Sequence, residues 1–98
     1  IKEWVMKNYM CTHEFKSIAL RDKYFEAFQH FEGQEASSVK DGKAHFLMNF
    51  NNGTKSMKMF CWWEAIDDSS IIEKLGKMNV FFETECFEMD NIFDARVK

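Results

Sequence analysis

From Lys43 to Phe50 the residues alternate: Ala44, Phe46, Met48 and Phe50 point one way, Lys43, His45 and Asn49 the other, with Leu47 among them. Period-two alternation is the mark of a half-buried strand. Lys55 to Trp63 alternates too, with Met57, Met59, Cys61 and Trp63 on one face. Asn52-Gly53 lies between them, the preferred pair for a two-residue type I′ turn. Such a turn pairs Asn51 with Thr54, sets Met48 opposite Met57, Phe46 opposite Met59 and Ala44 opposite Cys61, and makes the apolar faces coincide. Asp41-Gly42 is a second turn signal, which adds a polar edge strand over Glu35–Val39 and gives a three-stranded antiparallel meander.

The first third predicts helix. Ile1, Trp4, Val5 and Tyr9 have helical spacing. Thr12 is placed as an N-cap ahead of Phe15, Ile18, Phe25 and Phe28, Tyr24 and Phe31 widen the stripe, and Gly33 is a stop. Core packing accounts for these aromatics. After Trp63, Asp67-Asp68-Ser69-Ser70 precedes Ile71, Ile72, Leu75 and Met78, and Ser70 with Glu73 reads as a capping box. Gly76 either lets another backbone approach closely or is a mild flaw near that helix's end, the second being favoured. Val80, Phe82, Thr84 and Cys86 alternate as a strand, and Ile92, Phe93 and Val97 form a short element of unassigned type. The expected fold class is therefore α+β: N-terminal helices over 1–33, a curved three-stranded meander with a packed helix over 34–82, and a C-terminal strand or short helix over 83–98, all in one domain.

Charge narrows the classes of function. Residues 1–58 carry nine basic and seven acidic side chains, residues 59–98 four and nine, within a net charge of −3. No basic patch is visible, which argues against direct nucleic-acid binding. Three widely spaced cysteines, Cys11, Cys61 and Cys86, read as free thiols of a reducing compartment rather than a disulfide framework. No apolar run reaches the length of a membrane span. No signal peptide is visible, proline is absent and the chain starts at Ile1, which leaves a full-length chain and an excised domain both open.

The stretch Asp41-Gly42-Lys43-Ala44-His45-Phe46-Leu47-Met48-Asn49-Phe50, followed by Ser70-Ile71-Ile72-Glu73-Lys74-Leu75, resembles the chromo shadow domain of heterochromatin proteins over roughly residues 35–82. The resemblance implies a homodimer or heterodimer, formed through the helix, that grips an extended apolar peptide. It places Ile72 and Leu75 toward the sister subunit and Phe81 near the peptide, in a nuclear chromatin or gene-silencing complex, with a cytoplasmic location as the alternative. Phe50 is the one residue at a position of the related methyl-lysine cage, with Gly53 near where a second ring belongs, and Trp62-Trp63-Glu64 echoes that family's Trp-Glu-Pro. One ring does not make a cage.

Adjacent residues on a strand face opposite ways, so one of Trp62 and Trp63 is core and the other is covered either by a partner or by the N-terminal helix. Phe60 shares the face of Trp62, a face expected to pair Phe60 with His45 and Lys58 with Leu47. It makes a candidate docking surface. Cys11-Thr12-His13, with Cys61, Cys86, His30 and His45 scattered elsewhere, lacks the close ligand pairs of a zinc site. Asp67 and Asp68 beside serines read as helix caps rather than an acid/base pair. No phosphate loop, nucleophile elbow or His-Glu-x-x-His helix occurs, so no catalytic, cofactor or metal residue is assigned. The function expected is a non-catalytic protein–protein interaction module, with Ile72, Leu75, Phe81, Trp62 and Phe60 at the interface and no cofactor. Two alternatives remain. One is a cone-shaped α+β ligand-binding or enzymatic domain with a pocket lined by Phe28, Phe46, Met59 and Trp63. The other is a subunit whose acidic C-terminal part docks a basic partner.

Overall fold

The computed structural model describes residues 5–28 and 41–96. The expected elements that rest on Ile1, Trp4, Phe31, Gly33, Glu35–Val39 and Val97 lie outside the described residues. The elements run β1 (Lys7–Phe15), α1 (Ile18–Ala27), β2 (Ala44–Phe50), β3 (Lys58–Ala65), α2 (Asp68–Leu75) and β4 (Phe82–Glu88). The four strands form one antiparallel sheet in the order β2-β3-β1-β4. Among the described residues the elements follow the βαββαβ order of the ferredoxin-like split arrangement.

That architecture corrects the expected one. The chain opens the described fold with a strand, not a helix, and the sheet has four strands rather than three. β1 takes a central place between β3 and β4, so the first third is part of the sheet rather than a helical segment beside it. Tyr9, Cys11, His13 and Phe15 are buried at period two, while Glu14 is exposed and Met10 and Thr12 are half-buried. Their alternation is a strand signal that a cysteine and a histidine at inward positions obscure. The helix starts later than expected, because Ser17, not Thr12, is its N-cap: the Ser17 hydroxyl accepts from the Leu20 amide at 3.1 Å.

The β2–β3 pairing also departs from the expected register. Seven residues, 51–57, connect the two strands, with Gly53 at φ 60° opening a short 3₁₀ turn in place of a two-residue hairpin turn. Ala44 faces Ala65 and Phe46 faces Trp63, but the register shifts at Leu47, so Met48 faces Trp62 and Phe50 faces Phe60. A bulge of one residue sends everything beyond it to the other face of the sheet. Met48 and Phe50 therefore leave the core side that simple alternation assigns them.

One face of the sheet makes the core. Tyr9, Cys11, Phe15, Ala44, Met59, Cys61, Trp63, Ala65 and Phe82 pack with Ile71 and Leu75 of α2, and Tyr24 and Phe25 of α1 lie against the same cluster. The Tyr24 ring sits 5.3 Å from Phe15, 5.7 Å from Phe82 and 5.6 Å from Phe81, tilted or edge-on as aromatic quadrupoles prefer. α2 is capped by Asp67, whose Oδ1 accepts from the Ser70 amide at 2.8 Å and the Ser70 hydroxyl at 2.6 Å. The cap thus lies three residues ahead of the expected Ser70–Glu73 box, and Gly76 ends the helix at φ 53°. In that left-handed region a side chain is strained, which explains the glycine better than a flaw does.

Candidate docking surface on the open face of the sheet

Among the described residues no helix covers the other face, and the strand registers lay out its side chains in rows across β2, β3, β1 and β4. Phe50, Phe60, Thr12 and Glu85 make one row; Met48, Trp62, Met10 and Phe87 make the next. His45, Glu64 and Asn8 flank these on one side, and Lys58, Glu14 and Glu83 on the other. Phe50 and Phe60 face each other and Met48 and Phe87 end the next row, joined through Trp62 and Met10, with exposures of 51, 45, 44 and 44%. Contiguous exposed apolar surface of this kind marks an interaction site. Trp62 lies half-buried at its centre, and its indole N–H donates to Asn8 Oδ1 at 2.9 Å, which holds the ring against the sheet.

Charge is lopsided on this face. Glu14, Glu64, Glu83 and Glu85 stand against Lys58 alone, His45 aside. Glu14 and Glu83 are directly opposite each other on neighbouring strands, an arrangement that costs rather than contributes stability. Three of the four carboxylates gather at the β1–β4 side, while the aromatic rings concentrate toward β2 and β3. The surface is therefore an apolar centre with an acidic flank.

The structure brings together only part of the expected interface. Trp62 and Phe60 are neighbours on the open face, as their shared parity predicts. Their partners differ from expectation, since Phe60 faces Phe50 and His45 faces Glu64. Trp63, at 1% exposure, is the core member of the pair. Leu75 is buried in the chain's own core and has no surface to offer a sister subunit. Ile72 is exposed on α2, away from Trp62, and Phe81 packs against Tyr24 on the helix side. Met10, Met48, Phe50 and Phe87 were not assigned to the site by sequence. Only the sheet order and the Leu47 bulge reveal that they join it.

The remaining candidates resolve into structural roles. Met59 and Trp63, expected to line a pocket, are 1% exposed within the core, and the Phe46 ring lies 5.5 Å from that of Trp63. A cavity of about 310 Å³ lies elsewhere, beside Asp41, Gly42, Lys43 and Glu73. The hydrogen bond from the Ser70 side chain, with others from the Ser70 amide and Ser69, holds the Asp67 carboxyl below its usual range, as a cap requires. His13 is buried with its Nδ1 2.7 Å from Thr84 Oγ1 and its Nε2 without a partner. Burial pushes its pKa down to about 4, so the ring is neutral near pH 7. Among the described residues no group of three or more His, Cys, Asp or Glu side chains is placed to hold a metal ion, and His30 lies outside them. No helix among the described residues is long and apolar enough to cross a membrane. No family model matches the chain, and no curated protein is significantly similar to it.

Proposed function

We propose that this chain is a non-catalytic interaction module that docks a protein partner on the open face of its sheet, through Phe50, Phe60, Trp62, Met48 and Phe87. The observation that carries this reading is the contiguous apolar row structure on a face that neither helix covers. Aromatic and methionine side chains are the residue types that dominate such interfaces. The partner's contact surface is apolar at its centre and carries lysine or arginine where it meets Glu14, Glu83 and Glu85. Pairing two copies of this face would instead bring eight carboxylates and two lysines together, which disfavours a homodimer built here. The chromatin setting has its support in the resemblance over Asp41–Phe50 and Ser70–Leu75 alone.

A four-stranded sheet with aromatic rings on its open face is also how some domains stack single-stranded RNA. The acidic flank opposes that reading, because phosphate contacts need a basic surface. Both readings are tested by amide chemical-shift perturbation on the isotope-labelled chain. The probes are a short synthetic peptide alternating phenylalanine or leucine with lysine, its glutamate counterpart, and oligouridine. The lysine peptide is expected to move amides of β1, β3 and β4 around Trp62, with binding weakened about tenfold or more by Phe60→Ala. Equal response to the glutamate peptide, or a response to oligouridine alone, would overturn the proposal.

A further inference from the structure

All three cysteines of the chain stand in one row on the core face of the sheet. Cys11 of β1 has Cys61 of β3 as its register partner on one side and Cys86 of β4 on the other. The Sγ atoms of Cys11 and Cys86 are 2.7 Å apart. A disulfide needs about 2.0 Å between sulfurs, so only a small closure separates this thiol pair from a bond, and the facing register already sets the two residues opposite each other. Cys61 is engaged differently, since its sulfur accepts from Asn49 Nδ2 at 3.0 Å.

We propose that Cys11 and Cys86 are a reversible oxidation site that takes a low-molecular-weight disulfide, glutathione disulfide by class, and closes a cross-strand bond between β1 and β4. Accessibility sets the order of events. Cys11 is fully buried and Cys86 is half-buried at an edge strand, so the oxidant meets Cys86. The hydrogen bond from Cys11 favours the Cys86 thiolate and, by the same contact, pushes the Cys11 thiol up. The Cys86 thiolate attacks one sulfur of glutathione disulfide, forms a mixed disulfide and expels glutathione thiolate. Cys11 gives its proton to that thiolate, attacks the Cys86 sulfur and releases the second glutathione, which takes up the proton lost from Cys86. Two protein thiols are oxidised by two electrons and one glutathione disulfide is reduced to two thiols. The site lies on the face opposite the docking surface, so the two proposals fail independently.

The test is equilibration of the native chain in glutathione redox buffers, followed by alkylation, digestion and mass spectrometry. The expected product is a crosslinked peptide pair holding Cys11 and Cys86, with Cys61 alkylated, and Cys61→Ser is expected to give the same crosslink. Cys11→Ser is expected to stop with one glutathionyl group on Cys86, an adduct that C86S does not acquire at Cys11. Alkylation of all three thiols at every buffer ratio would overturn the proposal, as would a crosslink through Cys61 or an adduct that forms on Cys11 as readily as on Cys86. Because the crosslink is read in the unmodified chain, a variant that fails to fold leaves the test intact.

Discussion

The two faces of this sheet are built from the same four strands and similar numbers of large side chains, yet they have opposite fates. Trp63 and Trp62 are consecutive, and one is sealed in the core cluster that includes Ile71 and Leu75 of α2 while the other stays half-open over β1. On the covered face the residues interlock with helix residues such as Ile71, Leu75 and Tyr24. On the open face Phe50, Phe60, Met48 and Phe87 share two neighbouring rows with Trp62 and Met10 and remain exposed to solvent. The lesson is that hydrophobicity alone does not separate core from interface in a chain this rich in phenylalanine. The position of the helices does. A face that keeps exposed aromatics next to opposed glutamates is poorly optimised for stability, which is what a surface retained for binding looks like.

The sharpest test of that division is the tryptophan pair. Trp63→Ala removes a buried ring and leaves a cavity, and is expected to cost about 3–5 kcal/mol in urea unfolding. Trp62→Ala is expected to cost no more than about 1 kcal/mol, because its ring is half-exposed and already partly hydrated. Similar losses for the two would mean that both faces are core, and the docking surface would lose its basis.

A second difference lies in protonation. His13 is buried on the covered face with a folded pKa depressed from 6.5 to about 4 by desolvation. Between those values the unfolded chain binds more protons than the folded one, so stability rises with pH across that window and falls as acid is added. The shift corresponds to about 3 kcal/mol of stability present at neutral pH and lost by pH 4. His13→Leu is expected to flatten the pH dependence of the urea midpoint over that range. An unchanged slope in the variant would show that the ring is not desolvated in the native state.

How much of this was legible beforehand depended on whether a signal was local. The strand Ala44–Phe50 and most of Lys58–Ala65 are visible as alternation, and the opposite orientations of Trp62 and Trp63 follow from chemistry within one strand. α2 is visible through its acidic, serine-rich start, although the capping residue is Asp67. β1 was hidden by the identity of its inward residues: Cys11 and His13 do not read as an apolar stripe, and the spacing of Trp4, Val5 and Tyr9 favours a helix. The register was hidden by two short-range events that sequence does not display, the 3₁₀ turn at Gly53–Lys55 and the bulge at Leu47. The meeting of Cys11, Cys61 and Cys86 needs a sheet order that joins residues 75 positions apart, so their wide spacing concealed their adjacency.

The helical cover itself can be loosened without touching either face. Asp67 accepts from the Ser70 amide and from both the Ser69 and Ser70 hydroxyls at the start of α2. Asp67→Ala removes the cap while Ile71 and Leu75 keep their packing partners, so thermal unfolding is expected to move down by on the order of 5 °C. Binding of the lysine peptide is expected to hold, because the open face does not include α2. Loss of binding together with stability would show that the two faces are not separable.

The smallest effect is the most telling, because it runs in opposite directions on the two properties. Glu83 stands directly opposite Glu14 on the open face, and no ion pair involves either among the described residues. Glu83→Lys turns a repulsive cross-strand pair into an attractive one, so the folded state is expected to gain roughly 0.2–1 kcal/mol at low salt. Raising the ionic strength should shrink that gain, since both groups are exposed and screened. The same substitution places a cation where the proposed partner brings its own, and the lysine peptide is expected to bind more weakly. A variant that is both more stable and a poorer binder identifies the Glu14–Glu83 opposition as a feature kept for recognition. A variant that binds the lysine peptide unchanged would place the partner's basic residues elsewhere and leave the apolar rows to act alone.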